Sequence, residues 1–238
     1  MNLVNATILR LSTQALLGRR RGLVLALIPA VVVALAIVVR ALTEAGTGYE
    51  IIHAIGFTLA LPLVALLAAS AVLGPEIDDG SIVYLIAKPV PRRVVALSKY
   101  AVAWVATMAL GALPLLLAGL ILDSGEPGKA LAWALGGAVA GTTYTALFLG
   151  LASLTRHAVV LGLLFVLLWE GLLGGLLSGI RWVAVGAWGQ EVAAAVSDAI
   201  DDPGTGLVYA VLAATLVTAG SLWFASDRLR SFTLRGDE

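Results

Sequence analysis

Residues 74–99 read GPEIDDGSIVYLIAKPVPRRVVALSK, a polar and basic stretch set between two long apolar runs. Gly74 can end a helix and Pro75 suits the first position of the next, while Glu76, Asp78 and Asp79 place negative charge at that helix's positive N-terminus. The stretch therefore predicts a short helix over residues 75–87. Lys88 precedes Pro89 and is biased away from the α region, and the Pro89-Val90-Pro91 triplet enforces an extended corner. Arg92 and Arg93 then open a second helix that carries Lys99. The expectation is a helix, a corner and a helix, attached to whatever the apolar runs form.

Those runs decide the class. Hydrophobic residues make up 60% of the 238-residue chain and charged residues 13%, with a mean hydropathy of +1.00. Charge-free runs recur that are far longer than a soluble core helix needs. The fold class expected is an all-α integral membrane protein, a single transmembrane domain over residues 1–238. The formal net charge is zero, so the balance makes no case for nucleic acid. No cysteine is present, which excludes disulfides and thiolate metal sites. His53 and His157 fall far apart in the order of apolar runs, so no metal site is expected from them.

A membrane span needs about 20 mostly apolar residues to cross a hydrocarbon core of roughly 30 Å. On that measure the spans are 22–42, 51–73, 100–122, 130–153, 158–178 and 207–225, which leaves both termini on one side. Pro62 and Pro114 fall inside spans, where neighbouring helices can satisfy the freed backbone groups. A cleaved signal peptide competes for the first run. It would have an apolar region of about 7–15 residues and a small-residue cleavage site, and no such site follows Arg40. Residues 2–17 place Val4, Ile8, Leu11 and Ala15 on one side, giving an interfacial helix that Gly18 breaks and Arg19-Arg20-Arg21 anchors. The alternative is a plain extension of the first span.

Charge placement sets the orientation. With a cytoplasmic N-terminus, Arg10, Arg19, Arg20, Arg21, Lys88, Arg92, Arg93, Lys99, Arg156, Arg228, Arg230 and Arg235 lie inside. Only Arg40, Lys129 and Arg181 lie outside, as the positive-inside rule requires. Residues 179–206 are too polar and interrupted to cross. Val192, Val196 and Ile200 share a helical face there, and Trp182 and Trp188 suit a membrane interface, so short outer helices are expected. Gly137, Gly141 and Thr145 on the fourth span, and Gly171, Gly175 and Gly179 on the fifth, allow close helix approach. Packing within the chain and a subunit interface are both open readings of them.

The loop carries a family likeness. Glu76, then Gly80-Ser81, Pro89-Val90, Arg92 and Lys99, resembles the E-x-x-x-G-[ST]... P-[VI]-x-R... K segment of permease subunits of ATP-binding cassette exporters, type-2 class. The order of an interfacial helix, six spans, a basic loop after the second and short outer helices is similar too. The resemblance implies a substrate pathway built by two permease chains, identical or homologous. It also implies two cytoplasmic ABC ATPase subunits, which bind ATP and Mg, and a multi-pass place in the plasma membrane among its lipids. The helix over residues 75–87 would be the coupling helix. Glu76, Ile77, Gly80, Ser81, Tyr84, Leu85 and Arg92 would meet the ATPase, with Ile77, Tyr84 and Leu85 as the apolar surface.

No cofactor and no catalytic residue is expected in this chain itself. Gly128-Lys129 is followed by Ala130 rather than Ser or Thr and has Asp123 where a P-loop glycine belongs. The alternative is an ATP-independent secondary transporter or channel, which needs intramembrane ionisable groups. Glu170 is such a group, placed by helical rise in the outer half of the fifth span. It is a candidate for the pathway or the subunit interface; a place among the outer headgroups beside Trp169 is the plainer alternative.

Overall fold

The computed structural model describes residues 5–16, 18–43, 48–78, 91–155, 157–174 and 177–231. The described elements are helical. In order they are α1 (Ala6–Leu16), α2 (Arg19–Leu42), α3 (Tyr49–Ile52), a π-helical stretch (His53–Ala60) and α4 (Leu61–Asp78). Then come α5 (Arg92–Thr107), a second π stretch (Met108–Ala112), α6 (Leu113–Leu122), α7 (Pro127–Leu154) and α8 (Ala158–Leu164). A third π stretch (Phe165–Leu173), a 3-10 turn (Ser178–Val183), α9 (Val185–Val196) and α10 (Leu207–Ser231) complete them.

Among the described residues, five helical runs are long and apolar enough to cross a membrane: Gly22–Leu42, Ala54–Leu73, Arg92–Leu122, Pro127–Leu154 and Leu207–Leu229. The expected fifth span is described as an apolar helix over Ala158–Leu173. Leu177 N–H still bonds Leu173 O at 3.0 Å in the helical pattern, and the 3-10 turn Ser178–Val183 follows.

Two prolines explain two of the π stretches. Pro62 and Pro114 each follow π-helical backbone, at the second residue of α4 and α6. A proline donates no N–H and crowds the carbonyl four residues back. Those carbonyls belong to Thr58 and Leu110, both inside π stretches, where the wider turn gives the ring room.

The 74–99 loop departs from expectation at its start. α4 runs through Gly74 and Pro75 to Asp78 without a break, so residues 75–78 continue the second apolar helix. Pro75 forfeits one bond in the closing turns of a long helix, which disturbs less than ending it there. The side chains of Glu76 and Ile77, and residues 79–90 with Gly80, Ser81, Tyr84 and Leu85, lie outside the described residues. The proposed end of the coupling helix at Ala87 falls among them.

α4 and α7 form the centre of the bundle. Phe57, Leu61, Leu66 and Leu73 pack against Tyr144, Phe148 and Leu149, with Val166, Val185 and Trp188 closing the cluster. Leu61 and Gly137 show why glycine recurs on α7: a Cβ at Gly137 would lie 2.9 Å from Leu115 and one at Gly141 3.0 Å from Met108. These glycines pack within the chain. Gly171 and Gly179 are exposed instead, and Gly175 is outside the described residues.

Two helix faces also need correction. α1 buries Ile8, Ser12 and Leu16, while Leu11 is 51% exposed, because α1 lies against α4 and α5 along its i, i+4, i+8 row. α9 buries Val185, Trp188, Gly189, Glu191 and Ala193. Val196 is exposed, Ile200 lies beyond the helix, and Trp188 belongs to the core rather than to the membrane interface.

Candidate functional site

α1, α4 and α5 meet at one polar joint beside the loop. Pro91, with φ −57° and ψ 133°, caps α5, and its carbonyl accepts the N–H of Val94 at 2.9 Å. Arg92 and Arg93 occupy a first turn that holds no acid. Cations there oppose the helix dipole. One turn further, Ser98 donates to Val94 O at 2.7 Å and accepts the N–H of Asn5 at 3.0 Å. Asn5 in turn caps α1 through Oδ1, which accepts from Thr7 N–H at 3.0 Å. Lys99, 1% exposed, reaches the other way: its Nζ donates to Val72 O of α4 at 2.7 Å.

The opposite end of the bundle is organised by two buried acids. Glu170 is 7% exposed, and its two oxygens accept the N–H groups of Val185 at 2.9 Å and Gly186 at 3.1 Å. These are the first two residues of α9, whose start has no cap from its own side chains. A carboxylate from the fifth apolar helix therefore caps α9, satisfying orphan donors and matching the dipole. The fully buried Tyr144 hydroxyl lies beside the same carboxylate, close enough to feel its charge but outside hydrogen-bond geometry. Glu191 of α9 holds the next connection, accepting the N–H of Thr205 at 3.1 Å and its hydroxyl at 2.9 Å.

Glu170 thus fixes where a half-helix begins. From the Tyr144 level, α9 rises antiparallel to α7, with Gly189 against Gly136 and Ala140, then Ala193 against Ala132. A Cβ on Gly189 would sit 2.7 Å from Gly136 O and 2.8 Å from Phe57 Cζ. Only glycine lets these two backbones touch. The 3-10 turn before α9 is pinned by Trp188 Nε1 and the Tyr209 hydroxyl, both donating to Trp182 O, at 3.0 and 2.7 Å.

An open cavity of about 400 Å³ adjoins this end, with Thr58, Glu170, Arg181, Gln190, Asp201 and Asp202 among its lining. On the neighbouring corner, the Tyr49 hydroxyl donates to Gly119 O at 2.8 Å under the Lys129 ammonium, 4.5 Å above its ring. Burial, with Asp123 and Glu126 adding repulsion, pushes the Tyr49 phenol up to about 12. It stays a donor at any ordinary pH.

Of the residues singled out in the sequence, Glu170 is placed in the protein interior and Arg92 half-buried at the start of α5. The two are at opposite ends of the bundle and form no common site. Sequence reasoning passed over Tyr144, Glu191 and Gly136, and it gave Lys99 no partner. A lysine closing the motif just before an apolar run was the available signal for the last.

Residues 17–186 match the family model described as ABC-2 family transporter protein. A search of curated proteins found no match. The matched range holds the whole 74–99 loop and ends at Gly186, one of the two donors to Glu170.

Proposed function

Because this chain belongs to the ABC-2 transporter family, as a multi-pass membrane permease of an ABC-type transporter, we propose that two such permeases, identical or homologous, form an export pathway. In this reading the N-terminus, the C-terminus and the 74–99 loop are cytoplasmic and the 179–206 segment faces outward, with α9 dipping into the outer leaflet. The chain is one permease domain in the plasma membrane. The fifth crossing is made by the apolar run that starts at Ala158, so that six crossings result. Two ATPase subunits bind ATP and Mg and perform the hydrolysis; this chain supplies none of that chemistry. They dock on the loop through Glu76, Ile77, Gly80, Ser81, Tyr84, Leu85 and Arg92.

The observation that carries the reading is the family match, which includes the basic loop as well as the apolar helices that flank it. An ATP-independent transporter needs an ionisable group able to take up and release its ion. Glu170 is instead tied to two backbone donors.

Co-purification with the cognate ATPase tests the docking. Gly80→Pro would remove a donor and break a helix there, at about 3 kcal/mol or more. Tyr84→Ala would delete an aromatic anchor, often worth about 2 kcal/mol at interfaces. Both variants are expected to insert normally and lose ATPase binding or stimulated hydrolysis, and Lys88→Ala is expected to do far less. Full association and transport in both helix variants would reduce the loop to a connector.

A further inference from the structure

We propose that the groove between α7 and α10 is a binding site for a single lipid acyl chain. It needs only that these two helices stand in the bilayer, and it depends neither on export nor on ATPase docking. Two facing stripes build the groove, each with helical spacing: Leu135 to Thr143 on α7 and Val211 to Leu222 on α10. Along α10, valine and leucine stand at the ends, with Ala214, Thr215, Thr218 and Ala219 between them. Those small side chains leave an open hollow of about 670 Å³, within the range of roughly 300–1,000 Å³ that small-molecule sites occupy.

Length and depth choose the occupant. The groove starts about 6 Å from the beginning of α10 and runs for about 16 Å along the helix axis. One leaflet contributes about 15 Å, half of the roughly 30 Å hydrocarbon core. The groove therefore accommodates one chain from the leaflet on the α9 side. Val192 of α9 borders its outer end, since the neighbouring contacts of Gly189 with Gly136 and Ala193 with Ala132 put Val192 at the level of Leu135. A spanning helix from a second copy would need a track through the whole core. It would also need a far larger face than these walls, because a stable protein interface covers about 800 Å² on each partner.

The walls are unsuited to a polar ligand. Thr142 donates to Ala138 O at 2.6 Å, Thr143 to Val139 O at 3.2 Å and Thr215 to Val211 O at 2.7 Å. Thr218 donates to the Thr143 hydroxyl oxygen at 3.4 Å. Their hydrogens are spent within the protein, which leaves these threonines no hydroxyl donor to offer. Apolarity alone does not draw a lipid tail out of the bilayer. What holds it is contact with α7, α9 and α10 at once, which an unfilled groove would forfeit.

The test places the full chain in nanodiscs made with phosphatidylcholine that carries a diazirine at the end of one acyl chain. After a detergent wash to strip loosely held lipid, illumination is expected to mark segments 135–143 and 211–222 at least fivefold more than segment 31–38 of α2, where Val31, Ile37 and Val38 are exposed. Ala138→Phe and Ala219→Phe, which fill the groove, should each lower that labelling at least fivefold. Gly220→Phe, whose new side chain enters open space, should not. No enrichment in the wild-type chain overturns the proposal, and so does undiminished labelling in either filled variant. Because the chain has no cysteine, Ala219→Cys reports the rival occupant. An oxidative crosslink between two chains would put a second copy at the groove and overturn the proposal as well. Should a filled variant not accumulate, the wild-type enrichment and the crosslink still decide.

Discussion

Replacing the Glu170 carboxylate by an amide keeps its shape and turns an NH2 group toward one of the two N–H groups it now accepts. A donor then faces a donor at the buried start of α9, and leaving such a group unsatisfied costs about 1–3 kcal/mol. Glu170→Gln is therefore expected to lower the thermal midpoint of the purified permease and to loosen α9. Tyr144→Phe removes a hydroxyl that makes no hydrogen bond, and it is expected to cost under about 1 kcal/mol. Equal midpoints for Glu170→Gln and wild type would remove the capping role, and unchanged assembly, ATPase stimulation and export would remove any functional one. That Glu170 is an inward-facing acid could be read from the cost of exposing it to lipid. Its partners could not, because backbone N–H groups have no letter in the sequence.

The half-helix α9 depends on one backbone contact. Gly189→Val would place a branched side chain where a Cβ already meets Gly136 O, Ala140 and Phe57 at under 3 Å. Overpacking of this kind costs about 1–3 kcal/mol. Limited proteolysis at residues 197–206 is expected to accelerate in that variant while the spans stay protected; unchanged cleavage would show that α9 is not held by this contact. Which elements could be read follows from the same physics. Long charge-free runs announced α2, α4, α7 and α10, since nothing but a helix satisfies its backbone in lipid. α9 was harder, because its burial is against protein and its apolar residues follow two helical rows at once. α1 posed the same problem: Ile8-Leu11-Ala15 and Ile8-Ser12-Leu16 are both helical rows, and the contact with α5 chose the second. The Gly74-Pro75 pair was over-read as a stop because local signals rank below a long helix already under way.

For the whole molecule, orientation is the property most open to a direct check. A cysteine at Ser197 is expected to react with an impermeant reagent from outside the cell, and one at Ser81 is not. The reverse pattern would invert the map and, with it, the docking face.

The bundle is also unevenly knit. Only 22% of the most apolar stretch of α2 is buried and 11% of that of α10, against 67% for the second span. The main neighbour of α2 is α6, which leaves the ribosome only after α3, α4 and α5 have been made. At roughly 5–20 residues per second, the newborn first helix waits alone in the bilayer for several seconds. It can do so safely because lipid tails are as good a neighbour for its valines and leucines as the protein that eventually arrives. Translation may be slowed between α2 and α6 without lowering the yield of inserted chain, whereas a charge at Val32 would strand the helix before its partner exists.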